Sequence, residues 1–348
     1  MAISVALLWW TLHDVNLAEM WRHMSRVRAG WLLAAVTLAT LTFPLRTVRW
    51  RYLLRFDGDA LPFAPLWHAT AIGFMANNLL PARAGEVARA FAAANATRVR
   101  FSAAFASLAV ERVLDGLTLV VLLTVAIWAG GFAPGTVVGG VTLGGVAKGA
   151  GLLFAALLVG ALVFVHWPGP ALGAARAVAN HVLPTRWAGR LVGFVEGTLS
   201  GLDALKSPRR FAVVVFWSFA VWGAAAGSFL LAFLAFGIDV PWTAALLLQA
   251  LIAFGVAIPA SPGFFGVFEA VSRVSLALYG VSAERAVSYA VGYHITTFLP
   301  ITLLGIWSLG RVHLHFADLR APEAEGSAGE TGAAEATDSA STAGAPVE

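Results

Sequence analysis

Residues 77–89 read NNLLPARAGEVAR, a polar stretch between two long apolar segments. Within 13 residues it contains two Asn, one Pro, one Gly, two Arg and one Glu. Pro removes a helical hydrogen bond and Gly permits unusual backbone angles, so both residues favour an interruption of a helix. The stretch therefore predicts a helix that breaks inside an apolar region.

The composition of the chain is that of a membrane protein. Of its 348 residues, 59% are hydrophobic and 12% are charged, and the mean hydropathy is +0.78, whereas soluble domains carry roughly 25% charged residues. Residues 116–147 contain no ionisable side chain, and residues 211–259 contain only Asp239. Each run exceeds the ~20 residues that cross a bilayer, so the composition predicts several membrane-spanning helices and excludes a large soluble core.

Hydropathy divides the chain into an all-α membrane domain, residues 1–316, and an acidic tail, residues 317–348, that we expect to be disordered. Two segments are predicted to be re-entrant hairpins built on a broken helix, at residues 65–94 and 242–279. The predicted crossings, about six in number, are residues 1–12, which are short for a full span, 30–45, 101–130, 145–166, 210–236 and 286–310.

The two predicted hairpins share an order of parts. Each contains Pro-Ala-x-x-Gly, at residues 81–85 and 259–263, followed by Glu and Arg on a short helix, and the separation is about 180 residues. Three predicted crossings lie between them, so the hairpins would enter the bilayer from opposite faces. This is the inverted repeat that many secondary transporters use.

Lys and Arg predict the orientation, because basic residues accumulate on the cytoplasmic side of a membrane. One basic cluster ends the second predicted crossing, and another lies in residues 167–210, where apolar residues at helical spacing also predict an amphipathic surface helix. Both clusters and the C-terminus are therefore predicted to be cytoplasmic. The clusters are Arg46, Arg49, Arg51 and Arg55, and Arg176, Arg186, Arg190, Lys206, Arg209 and Arg210.

Ionisable residues inside the predicted crossings point to a binding site, since charge at membrane depth is costly. Glu111 and Asp115 share one helix face, roughly 15–20 Å from the helix start, and repel unless a cation or a proton lies between them. One interpretation is that a neighbouring Arg, on the same helix or on the hairpin, simply neutralises a carboxylate. The other is that these Arg residues bind an anionic head group, whose phosphate suits the planar guanidinium fork, while a carboxylate carries a coupling proton.

Other polar residues near the breaks leave alternatives open. Asn77 and Asn78 satisfy backbone groups at the break or contact a ligand; Glu269 and Arg273, four residues apart, form a salt bridge or a second part of the site. His294 is either a packed residue or a proton relay. The residues predicted to bind substrate are Asn77, Asn78, Arg83, Glu86, Arg89, Glu111, Arg112, Asp115, Ser261, Glu269 and Arg273.

Enzyme signatures are not found in the sequence. There is no GxSxG, Walker or HExxH motif and no cysteine, so we predict no catalytic residue, no metal and no cofactor. Although the net charge is +4, the Arg residues cluster between hydrophobic segments, which argues against nucleic acid as a partner. A membrane lipid transferase that uses Glu111 and Asp115 is an alternative.

Four motifs together resemble one known family, the bacterial and archaeal lysylphosphatidylglycerol synthase transmembrane domains, also called flippase-like membrane proteins. The motifs are RWRYLL (49–54), the stretch 73–89, ERVLD (111–115) and PASPGFFGVFE (259–269). The resemblance runs from about residue 30 to residue 312. One departure is PGFFG, because the family pattern implies paired glycines where this chain has Phe264.

The resemblance implies a multi-pass protein of the bacterial inner membrane that moves phospholipids or lipid-linked sugars between leaflets. The soluble aminoacyl-transferase domain of the synthase has no counterpart after Arg311, so only the membrane role is expected. We therefore predict a flippase for an anionic phospholipid or a polyprenyl-phosphate sugar. The alternatives are a non-transporting membrane partner of a lipid-linked glycosyltransferase and the lipid transferase.

Overall fold

The computed structural model of the chain describes residues 2–56, 59–80, 84–170, 172–173, 176–177, 185–256, 261–312 and 314–316. Pro81, Arg83 and Pro259 lie outside these ranges, as does the predicted acidic tail. Each Pro-Ala-x-x-Gly motif is therefore described only in its second half.

Helices make up most of the described residues. In chain order they are α1 (Ala2–Leu12), α2 (Leu17–Ser25), α3 (Ala29–Leu53), α4 (Phe63–Leu79), α5 (Gly85–Ala96), α6 (Phe101–Ala129), α7 (Leu143–His166), α8 (Thr185–Gly201), α9 (Pro208–Ala235), α10 (Thr243–Gly255), α11 (Val267–Ala277) and α12 (Ala283–Arg311). Short 3₁₀ turns lie at Asp203–Lys206 and Pro262–Phe264. Two-residue strands pair antiparallel as β1 (Arg55–Phe56) with β2 (Asp59–Ala60), and as β3 (Val137–Val138) with β4 (Val141–Thr142).

Five helices among the described residues are long and apolar enough to cross a membrane: α3, α6, α7, α9 and α12. They match five of the six predicted crossings and confirm an all-α, multi-pass membrane protein. Residues 1–12, which the sequence shows to be short for a full span, form the 11-residue α1. Its length is about 16 Å, roughly half of the ~30 Å hydrocarbon core. It packs against α11.

Both predicted breaks are present. The first hairpin consists of α4 and α5, which are interrupted after Leu79, and the second consists of α10 and α11, which are interrupted after Gly255. In the second break, Gly263 and Gly266 have φ of 66° and 89°. These values lie in the left-handed region that glycine adopts without steric cost, so the two glycines allow the chain to turn there.

The order of helices repeats along the chain. The helices α3, α4, α5 and α6 begin at residues 29, 63, 85 and 101, and α9, α10, α11 and α12 begin at 208, 243, 267 and 283, about 180 residues later in each case. The packing repeats as well, since α3 contacts α9, α4 contacts α12, and α10 contacts α6. Each hairpin therefore lies against the last span of the other half. Because α6, α7 and α9 separate the hairpins, three crossings would place them on opposite faces.

A helix also forms where the sequence predicts an amphipathic surface helix. It is α8, and it packs against α6. Glycines at the contact explain the close approach, because a Cβ on Gly201 would overlap the backbone of Ala103. The first turn of α6 therefore packs against α8, a helix that is not part of the repeat.

Candidate functional site

Two carboxylates lie one turn apart on α6. Glu111 is fully buried and Asp115 is 3% exposed. Their spacing of four residues places them on one face, as the sequence predicts, and this face is turned towards α3. Buried charges require partners, and four guanidinium groups supply them.

Three arginines form ion pairs with a single carboxylate oxygen of Glu111. Its Oε1 lies 3.2 Å from Arg49 Nη2 and 2.9 Å from Arg89 Nη1, and it also contacts Arg112 Nη2. Its Oε2 is buried and has no hydrogen-bond partner among the described residues. The contacts from Arg89 and Arg112 agree with the interpretation in which neighbouring arginines neutralise a carboxylate.

Asp115 is held from both sides by charged and neutral donors. Arg49 contacts both carboxylate oxygens, Arg112 Nη2 lies 3.1 Å from Oδ2, and Arg46 Nη1 lies 3.6 Å from Oδ2. The indole N–H of Trp222 donates to Oδ1 at 2.8 Å. Asp115 therefore joins α3, α6 and α9 through its two oxygens.

The sequence places Arg46 and Arg49 in a basic cluster predicted to be cytoplasmic, but the structure buries both side chains inside the protein. They are 7% and 0% exposed and point into the protein from α3. Their three-residue spacing, which places both side chains on one helix face, was the available signal. Arg51 and Arg55, the other two members of that cluster, are half-buried.

The cluster holds more positive than negative charge. Four arginines meet two carboxylates, and several guanidinium nitrogens are buried without a hydrogen-bond partner among the described residues. They are Nε and Nη1 of Arg46, Nε of Arg49, Nε and Nη2 of Arg89, and Nε of Arg112. Buried donors without acceptors are costly, so the cluster is suited to an additional anion.

A cavity of about 440 Å³ opens beside this cluster. Arg46, Arg112 and Asp115 line it, whereas Arg49 and Arg89 do not. Its other polar lining residues are Asn77, Asn78, Glu86 and Gln249, and its aromatic lining residues are Phe74, Phe154, Trp222, Phe229, Phe254 and Phe264. Both halves of the repeat contribute residues, so the cavity lies at their junction. Gln249 was not identified from the sequence, because a single Gln in an apolar helix carries no motif.

A second cavity of about 260 Å³ adjoins the first and is mostly apolar. Five residues line both cavities: Phe74, Asn78, Trp222, Phe229 and Phe264. The second cavity continues along α12 past His294, Thr297 and Phe298. A charged region and an apolar region therefore lie side by side.

The two asparagines of the first hairpin have different partners. Asn77 Oδ1 accepts from the backbone N–H of Gly85 at 3.0 Å, and Asn78 Nδ2 donates to Thr302 Oγ1 at 2.7 Å. Asn77 thus satisfies a backbone group at the break, and Asn78 ties the hairpin to α12. Both also line the larger cavity, as does the half-buried Glu86.

Of the two alternatives for Glu269 and Arg273, the salt bridge between them is not formed. Glu269 Oε2 accepts from the N–H of Gly266 at 2.6 Å and its Oε1 contacts His294 Nδ1 at 2.7 Å. The imidazole ring of His294 stacks against Phe265, with ring centroids 4.5 Å apart. Glu269 therefore caps α11 and contacts His294 on α12 rather than Arg273.

Arg273 and Ser261 bind α1 instead of the cavities. Arg273 donates to the carbonyl of Thr11 at 2.8 Å and to Asp14 Oδ2 at 2.6 Å, which holds the pKa of the Asp14 carboxyl below its usual value. The backbone N–H of Ser261 donates to Ser4 Oγ at 2.8 Å. Of the residues predicted to bind substrate, Glu269, Arg273 and Ser261 line neither cavity and do not contact the arginine cluster, while Arg83 lies outside the described residues.

Comparison with known proteins gives the same family as the four motifs. Residues 1–305 match the family described as the lysylphosphatidylglycerol synthase TM region. The chain is similar to glycosyltransferase AglD of Haloferax volcanii, at 30% identity over 301 residues, which cover 79% of this chain and 48% of that protein. It is also similar to UPF0104 membrane protein PH1989 of Pyrococcus horikoshii, at 24% identity over 317 residues, 87% of this chain and 92% of that protein. The match thus spans about half the length of the first relative and almost all of the second.

Proposed function

This chain belongs to the family of the lysylphosphatidylglycerol synthase transmembrane region, and on that premise we propose that it moves an anionic lipid across the bilayer. The lipid is an anionic phospholipid or a lipid-linked sugar phosphate. The observation that carries the proposal is the 440 Å³ cavity at the junction of the two halves, with Arg46 and Arg112 in its wall. The excess of buried guanidinium donors beside it favours a phosphate over a neutral head group.

The phosphate would bind between Arg46 and Arg112. Arg46 is held in place by aromatic rings, with its guanidinium 5.5 Å from the Phe74 centroid and 5.0 Å from the Trp222 centroid. These contacts orient the side chain while leaving its Nε and Nη1 without hydrogen-bond partners among the described residues. In a site with little water, such donors attract an anion more strongly than they would at a surface.

Glu111 and Asp115 would act as positioning residues. Each contacts three arginines. Their negative charges offset part of the desolvation cost of burying four guanidinium groups at membrane depth. Arg89 would also be a positioning residue, since it contacts Glu111 but does not line the larger cavity. A direct role for Arg83 stays a prediction.

Movement would come from the repeat. Each hairpin packs against the last span of the other half, so rocking the halves against each other would open the shared cavity to one side and then the other. We place the C-terminal end of α12 in the cytoplasm, on the same side as Arg51 and Arg55, following the basic residues.

The test is reconstitution in liposomes with fluorescent anionic and zwitterionic phospholipids, in which a membrane-impermeant quencher reports lipid that has changed leaflet. We expect wild-type protein to move the anionic lipid faster and Arg112→Ala to abolish the difference. Arg22→Ala is the matched control, because Arg22 is exposed on α2 and its ion-pair partner among the described residues is Glu19. Normal rates in folded Arg46→Ala and Arg112→Ala proteins would rule out the site.

A second candidate is a membrane partner of a glycosyltransferase. It is favoured by the relative named glycosyltransferase AglD, in which the matched region makes up 48% of the protein. In that case substitutions at the cavity would weaken complex formation and leave lipid movement unchanged. A metal-dependent transferase is less well supported, since the carboxylates it would use contact arginines.

A further inference from the structure

Gln249 is a buried polar side chain in an apolar helix. It lies on α10, where the neighbouring sequence is LLLQALIAF, and it is 2% exposed. Neither its Oε1 nor its Nε2 has a hydrogen-bond partner among the described residues. Buried amides nearly always have partners, so a Gln in this state is a candidate for contact with a ligand.

Gln249 lines the larger cavity together with Arg46 and Arg112. It comes from the second half of the repeat, whereas both arginines come from the first. Asn77, Asn78 and Asp115 also line the cavity, but each already has a hydrogen-bond partner. Gln249 is therefore the neutral lining side chain that has both a donor and an acceptor without partners within the described part of the chain.

We propose that Gln249 binds a hydroxyl group of the lipid head group, so that the substrate is a phosphodiester carrying a polyol, either glycerol or a sugar. This inference rests on the proposed head-group site. A hydroxyl donates and accepts, and so does the amide, so one hydroxyl or two adjacent ones can satisfy both of its atoms. An ammonium head group only donates and would leave Nε2 without a partner.

The division of the cavity into two kinds of contact follows from this assignment. The guanidinium groups of Arg46 and Arg112 would bind the phosphate, which is common to all candidate lipids. Gln249 would distinguish among them, because a buried polar group that loses its partner discriminates strongly against a ligand without the matching hydroxyl.

Direct binding in detergent tests the inference without requiring transport. Isothermal titration would compare dihexanoyl-phosphatidylglycerol and dihexanoyl-phosphatidylinositol with dihexanoyl-phosphatidylethanol, which carries the same single charge but no head-group hydroxyl. We expect wild-type protein to bind a hydroxylated lipid about tenfold or more tightly than the ethanol lipid, the scale of one hydrogen bond. Gln249→Leu should remove that preference.

Ser272→Ala is the matched control. Ser272 is also buried in the second hairpin without a hydrogen-bond partner among the described residues, but it lines neither cavity. It should keep the preference for hydroxylated lipids. Comparison of the glycerol and inositol lipids identifies which polyol fits better.

Three outcomes would overturn the inference. The first is equal affinity of the wild-type protein for all three lipids, and the second is a preference that survives in Gln249→Leu. The third is that no lipid binds. The proposed transport can fail separately. Lipids that bind with the expected preference but do not cross reconstituted membranes would refute movement and leave the hydroxyl-binding role of Gln249 intact.

Discussion

Arg49 donates its two terminal nitrogens to the two oxygens of Asp115, joining α3 to α6 through side chains that are 0% and 5% exposed. The same guanidinium donates to Ser218 Oγ at 3.0 Å, which brings in α9. Three spans thus meet at one buried ion pair. A two-point contact of this kind orients both side chains as well as neutralising them.

Removing Arg49 should destabilise the protein strongly. We expect Arg49→Leu to lower the free energy of unfolding by about 3–5 kcal/mol, because it removes one partner of a buried ion pair and with it the contacts to Asp115, Glu111 and Ser218. Thermal unfolding in detergent measures the change. In a double-mutant cycle with Asp115→Leu, the combined loss should be smaller than the sum of the two single losses, and additive losses would contradict the pairing.

Arg46 should affect lipid movement more than stability. Its closest carboxylate oxygen, on Asp115, is 3.6 Å away, and its guanidinium lies in the wall of the cavity. We expect Arg46→Gln to slow movement of an anionic lipid by about tenfold or more, with a smaller loss of stability than Arg49→Leu. Arg46→Lys should lie in between, because it keeps the charge and loses the planar fork. A variant that unfolds as readily as Arg49→Leu would show that Arg46 is structural.

The contact between the two helices of the first hairpin should not tolerate a methyl group. A Cβ on Gly85 would overlap the carbonyl oxygen of Gly73 and the Asn77 side chain. We expect Gly85→Ala to cost about 1–3 kcal/mol and to slow lipid movement by displacing α5. Gly149→Ala is the control, since a Cβ there meets nothing within 4 Å. Equal stability of the two variants would contradict the close packing.

Phe264 occupies a backbone conformation that suits glycine. Its φ is 61°, the single positive value found for a non-glycine residue in the described part of the chain, and this is the position where the family pattern implies a glycine. We expect Phe264→Gly to be more stable than Phe264→Ala by about 1 kcal/mol. At Phe265, whose φ is −55°, the order should reverse. Thermal unfolding of the four variants measures both differences, and the same order at both positions would contradict the assigned backbone.

Glu269 should stabilise the second hairpin through its two acceptors. It caps the Gly266 N–H and contacts His294, so we expect Glu269→Ala to cost about 1–3 kcal/mol. The exposed Glu19, whose partner among the described residues is Arg22, provides the control substitution Glu19→Ala, for which we expect less than about 1 kcal/mol. Thermal unfolding would again be the measurement, and similar losses in both variants would show that the cap is not important.

The sequence by itself determined the membrane class, five of the spans, both broken hairpins and the repeat that relates them. These features depend on composition, hydrophobic run length and the backbone preferences of Pro and Gly, all of which act locally. Glu111, Arg112 and Asp115 were also predictable, because ionisable side chains at membrane depth are rare enough to be noticed individually.

Only the tertiary structure decided which groups meet. Arg46 and Arg49 looked like surface residues because they stand near the end of a span, and their rotation towards α6 depends on how α3 packs against it. Glu269 and Arg273 share a helix face by spacing, yet they bind His294 and Asp14, which lie on other elements. Ion pairs and cavities form between segments distant in sequence, so local spacing limits the possible partners but does not choose among them.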